Sequence, residues 1–167
     1  MISATIFPTV LKQDAYERIA ESEISKSGTS RNHAKIQSRM AKILGNQYDE
    51  NYDILTEFEV ELVGKRVVPD VCICPYEPSN WQNDVIRGSE LPLLLVEILS
   101  PRQAFEDIME KIRDVYFPAG AKSVWVVLPS TESVVVFKPN VKPQIFNQGV
   151  LKDAASGFEI DLDKVFI

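Results

Sequence analysis

Residues 91–101 read LPLLLVEILSP, an almost unbroken apolar run with one carboxylate, Glu97, near its end. A run this apolar suits a strand covered on both faces, so the chain must build a layer on each side of it. Removing a carboxylate from water costs on the order of several kcal/mol unless a cation, a metal or hydrogen-bond donors compensate it. Glu97 therefore calls for partners brought in from elsewhere in the chain.

At 167 residues the chain is long enough for one domain with a real core, and its hydrophobic share of 45% is that of an ordinary globular protein. It contains no apolar stretch of about 18 residues, the length that a membrane helix needs. The first eight residues, MISATIFP, lack the basic and apolar regions of a secretory signal, so a cytoplasmic location is expected. Cys72 and Cys74 point to one face of a strand, and with a single His in the chain they read as reduced, semi-buried thiols rather than a disulfide framework or a zinc site. The net charge of -6 excludes a surface that is basic all round. It leaves room for an enzyme that binds divalent metal through carboxylates and confines its basic residues to one stripe.

Along the chain, residues 1–10 read as a loosely tied lead-in and Lys12–Ser22 as a short helix. Thr29 or Ser30 can cap a second helix over 31–44, with Ile36, Met40, Ile43 and Leu44 on its packing face. Arg31, Lys35, Arg39 and Lys42 form its cationic stripe, and Gly45-Asn46 should end it. Residues 54–63 alternate as a strand with Glu57, Glu59 and Glu61 on one face. A turn at Gly64-Lys65 leads to a partner strand over 67–74, irregular or on an edge because Pro69 lacks a ladder donor. The loop 75–90 has Trp81 and Ile86 as its candidate anchors. After the strand at 91–99, a helix over 103–117 should bury Phe105, Ile108, Met109, Ile112 and Tyr116. A hairpin of 123–128 and 133–137 and a tail with an edge strand and a closing segment complete a mixed-sheet α/β domain.

Asp70 and Glu97 are the acidic residues that interrupt apolar strands. If those strands are neighbours the two carboxylates converge, and converged carboxylates favour a divalent cation of the Mg²⁺ or Mn²⁺ type. An acid and base pair for glycoside hydrolysis is the competing reading of the same two residues. Asp107 and Lys111, four apart on the following helix, can reach over the sheet end as well as form a plain surface pair. A lysine beside a metal-bound carboxylate pair can orient water and neutralise charge in phosphodiester hydrolysis.

The ordered set Pro69-Asp70, then Glu97 in EILSP, then Asp107 and Lys111 in DIMEK, then Tyr116 and Gly120 before VWVV, resembles the Uma-two family of putative restriction endonucleases. That family lies within the PD-(D/E)XK nuclease superfamily, and the resemblance covers about residues 31–138. It implies a restriction-endonuclease-like central mixed β-sheet flanked by helices. It further implies a metal-dependent endonuclease acting on nucleic acid, with DNA the expected substrate. Asp70 and Glu97 would bind Mg²⁺, for which Mn²⁺ can substitute, and the Ile98 carbonyl would be a further ligand. Leu99 stands where the superfamily keeps its lysine, so Lys111 on the next helix takes that role, with Asp107 orienting it. His33 resembles a His at the start of the family's early helix, and Tyr116 stands one residue beyond its expected place. Arg31, Lys35 and Arg39 are the candidates for phosphate-backbone contact, Glu57 or Glu59 for a second metal site. A homodimer would suit cleavage of both strands. The rival expectation is an inactive nucleic-acid-binding or assembly module with the same fold.

Overall fold

The computed structural model describes residues 29–167. The lead-in and the helix expected over 12–22 lie outside that range. The first described helix, α1, spans Arg31–Tyr48 and is capped by Ser30, whose hydroxyl accepts from the His33 N–H at 3.3 Å. It does not stop at Gly45-Asn46; the Asp49 N–H closes the last turn on the Gly45 carbonyl at 3.0 Å. Tyr48, one turn beyond Leu44, packs edge-on against Tyr52 and Phe158. That aromatic contact outweighs the roughly 1 kcal/mol that a glycine costs inside a helix.

Ten strands follow, β1 (Tyr52–Thr56), β2 (Val60–Leu62), β3 (Lys65–Val67), β4 (Val71–Pro75), β5 (Leu94–Ile98), β6 (Val124–Leu128), β7 (Ser133–Phe137), β8 (Gln144–Phe146), β9 (Val150–Lys152) and β10 (Glu159–Asp161). Six form the main sheet in the order β1-β4-β5-β6-β7-β8. Only β5 and β6 pair in parallel within it, joined by the crossover helix α2 (Phe105–Lys111), so the sheet is mixed as expected. A hairpin of β9 and β10 and the short helix α3 (Leu162–Val165) close the domain.

Alternation along the strands sorts the core into two layers. Val71, Ile73, Leu94, Val96, Ile98, Trp125 and Val127 face α1 and the closing segment. Cys72, Leu95, Val124 and Val126 face the other way, onto Ile108, Ile112 and Tyr116. The apolar run is therefore buried on both sides, and Glu97 shares the second face with Leu95.

Residues 54–63 are not one strand. Glu57 takes a positive φ of 53°, which ends β1 and turns the chain out of the main sheet. The continuation pairs β2 with β3 through a turn in which Val63 and Gly64 have φ of 46° and 74°. The partner stretch divides likewise at Pro69, β3 ending at Val67 and β4 starting at Val71, as the missing donor requires. The loop after β4 is held by Gly88, which exchanges backbone hydrogen bonds of 2.9 Å with Glu59 and Glu61. Trp81 and Ile86 do not anchor it: they are 92% and 86% exposed. Helix α2 is shorter than expected and runs into a π-turn over Ile112–Tyr116. Phe105, expected in the apolar stripe, is 40% exposed and tilts against Phe137. No helix among the described residues is long and apolar enough to cross a membrane.

Candidate functional site

Strand β4 runs antiparallel to β5 with Val71 opposite Val96 and Cys72 opposite Leu95. One step further in that register sets Asp70 opposite Glu97, on the face that α2 covers. The two acidic residues thus converge through strand pairing alone.

Glu97 is 3% exposed. Lys111 Nζ donates to both of its oxygens at 3.0 Å, and the Tyr116 hydroxyl donates to Oε1. Burial pushes the Glu97 carboxyl above the usual range, while Lys111 and Tyr116 pull against that shift without cancelling it. Burial also raises Tyr116, with the Glu97 charge adding to it, so the phenol stays a donor. The compensating partner demanded by the apolar run is therefore the lysine of the next helix.

Asp70 is held differently. Its Oδ2 accepts the Ile98 N–H at 2.6 Å and its Oδ1 lies 3.1 Å from His33 Nε2. Its backbone carbonyl accepts from Gln37 Nε2 at 2.9 Å, so α1 grips both ends of the residue. The hydrogen bond to Asp70 raises the His33 pKa, with burial opposing. His33 Nδ1 is buried with no hydrogen-bond partner among the described residues. Sequence reasoning placed His33 only by resemblance and missed Gln37, whose polarity on the buried side of α1 was the available signal.

These groups open onto a cavity of about 900 Å³. Asp70, Glu97, Ile98 and Lys111 line it together with His33, Glu57, Asp107 and Arg102. Glu57 reaches it because of the turn at that residue. Glu59 does not, since Arg87 pairs with Glu59 and, at 3.4 Å, with Glu61. Asp107 borders the cavity but makes no ion pair with Lys111 among the described residues. Arg31, Lys35 and Arg39 are absent from its lining; Arg39 instead donates to the Val165 carbonyl at 3.1 Å, and Lys35 lies beside it. The helix face that packs onto the closing segment is the one those basic residues flank.

As a donor set, Asp70, Glu97 and the Ile98 carbonyl supply oxygen only, which suits a hard divalent cation and not zinc. No cluster of three or more His, Cys, Asp and Glu stands in metal-ligating geometry among the described residues. Cys72 and Cys74 are free, their sulfurs 4.0 Å apart, away from this lining.

Among proteins of curated function none matches the chain significantly in sequence. Solved structures similar to it include the following two. One is the "putative nuclease belonging to DUF820 from Anabaena variabilis ATCC 29413", 18% identical, covering 82% of this chain and 81% of that one with a TM-score of 0.69. It shares the fold. The other is a DrdV–DNA complex, 14% identical over 69% of this chain and 12% of that one, with a TM-score of 0.39. The family model Uma2, described as "Putative restriction endonuclease", matches residues 8–163, a span that includes Asp70, Glu97, Lys111 and the closing segment. On that extent the chain belongs to the Uma2 restriction-endonuclease-like family.

Proposed function

We propose that the chain is a metal-dependent endonuclease that hydrolyses phosphodiester bonds in DNA. The observation that carries this reading is the convergence of Asp70 and Glu97 from adjoining strands with Lys111 against Glu97, all at one open cavity. Asp70, Glu97 and the Ile98 carbonyl would hold Mg²⁺, with Mn²⁺ as its substitute. The ion supplies Lewis-acid polarisation of the phosphate and activation of water when bound.

The chain's own groups do the rest. Lys111 Nζ, once exchanged off Glu97, donates to the attacking water or to the non-bridging phosphate oxygens, where negative charge develops as the new P–O bond forms. Water's oxygen adds to phosphorus as one of its protons passes to solvent, the bond to the leaving sugar oxygen breaks, and that oxygen takes up a proton from solvent. His33 and the Ile98 N–H keep Asp70 in place throughout, so little reorganisation is left to the moment of reaction. Arg102, which lines the cavity, is the candidate for a phosphate contact.

Calorimetric titration with Mn²⁺ tests the metal site: binding should disappear in Asp70→Ala and in Glu97→Ala, and unchanged binding in both would sink the assignment. Plasmid nicking with Mg²⁺ should vanish in Lys111→Ala while Mn²⁺ binding persists. Salt-dependent DNA binding without cleavage across metals and sequences would instead identify an inactive module of the same fold.

A further inference from the structure

Lys111 and Tyr116 meet on one carboxylate although they stand five residues apart on one helical segment. In a regular α-helix that separation turns two side chains about 140° from each other, so both could not reach Glu97. The π-turn over Ile112–Tyr116 resolves this. Its wider ring, closed by the Phe117 N–H on the Ile112 carbonyl at 2.9 Å, absorbs one extra residue and brings Tyr116 back over the sheet. Arg113 and Asp114 lie exposed on its outer side while Val115 and Tyr116 are buried.

Tyr116 is fully buried. Were it only filling space, a phenylalanine would do so without a hydroxyl to satisfy. Instead the hydroxyl is spent on Glu97 Oε1, leaving Oε2 with Lys111 as its one partner among the described residues. The two oxygens of Glu97 are therefore not equivalent.

We propose that Tyr116 is a positioning residue: its hydroxyl pins Oε1 of Glu97, so that Oε2 is the oxygen exchanged from Lys111 to the metal. This rests on the metal-dependent reading above and adds a residue and an atom to it. A carboxylate fixed at one oxygen presents the other in a single orientation, and loss of such an outer partner weakens metal affinity by about 10- to 100-fold.

The experiment is calorimetric titration of the whole chain with Mn²⁺ alone, wild type against Tyr116→Phe, with urea unfolding of both metal-free proteins. Expected is a 10- to 100-fold weaker Mn²⁺ affinity in Tyr116→Phe with no drop in unfolding midpoint large enough to unfold it at the assay temperature, and nicking restored by excess Mn²⁺. Equal affinity in the two proteins overturns the role of Tyr116 and leaves the metal site standing. A wild type that takes up no Mn²⁺ overturns both readings. A second measurement needs no variant: the hydrogen-bonded hydroxyl proton of Tyr116 should be visible downfield by NMR and should persist, shifted, at saturating Mg²⁺. Its disappearance on Mg²⁺ binding would mean that Tyr116 leaves Glu97, and would refute the proposal.

Discussion

Glu97 and Asp153 are both buried carboxylates, 3% and 4% exposed, yet their surroundings push them in opposite directions. At Glu97 burial outweighs Lys111 and Tyr116, and the carboxyl is raised. Burial is the largest influence on Asp153 too, but donors from Ser123, Ser156, Trp125 and the Ala155 N–H together exceed it and hold the carboxyl low. A carboxyl lowered by folding adds stability above its unfolded pKa of about 3.9 and loses it as pH falls through the folded value. Asp153→Asn should therefore cost about 1–3 kcal/mol at pH 7, with the gap to wild type closing as pH drops below about 3.9, as read by urea unfolding. Glu97→Gln should behave otherwise: the buried charge is lost and Lys111, whose side chain is partly exposed, can turn its ammonium to water, so the metal-free midpoint at pH 7 should stay near wild type while Mn²⁺ uptake is lost. A lower midpoint would show that Glu97 is a structural ion-pair member. Glu97 was legible in the sequence because a charge in an apolar run is costly wherever it folds. Asp153 was not, since its donors come from residues 123, 125, 155 and 156 and meet only when β6 lies beside the β9–β10 turn.

At the scale of elements, periodicity read the faces well and the breaks poorly. The alternation of β4 and β5 placed Asp70 and Glu97 on one side, and helical spacing brought Lys111 to the sheet end. Single-residue departures defeated the same rules. The positive φ at Glu57 split an apparently continuous strand and sent Glu57 to the cavity but Glu59 and Glu61 to Arg87. The π-turn changed the count between Lys111 and Tyr116, and the packing of Tyr48 carried α1 past its glycine. Gly88 is where the long loop is joined to β2: a Cβ there would meet the Phe58 ring at 2.8 Å and Val60 at 3.1 Å. Gly88→Ala should cost about 1–3 kcal/mol through that overlap and should speed proteolysis within residues 76–87, with Asp70, Glu97 and Lys111 left in place. Unchanged proteolysis would show that Phe58 yields without releasing the loop.

Over the whole molecule, 24 acidic residues outnumber 18 basic ones, so for the proposed DNA substrate the placement of the cations matters more than their number. The stripe on α1 looked suited to phosphates, but Arg39 is tied to Val165 and neither it nor Lys35 borders the cavity. Arg102→Ala should weaken DNA binding and lower the salt slope by about 1, whereas Lys35→Ala should leave both nearly unchanged; the reverse pattern would move the DNA to the other side of α1. The single parallel pair in the main sheet bears on how such a site comes into being. The hairpin of β6 with β7 can zip locally, but β5 and β6 meet only after the chain of residues 99–123 has looped back over the sheet, a closure whose entropy must be lost before any contact repays it. Lys111 and Tyr116 both ride on that loop. Charge compensation at Glu97 and closure of the longest connection within the main sheet are thus linked: until β5 and β6 meet, Glu97 has neither the cation nor the phenol.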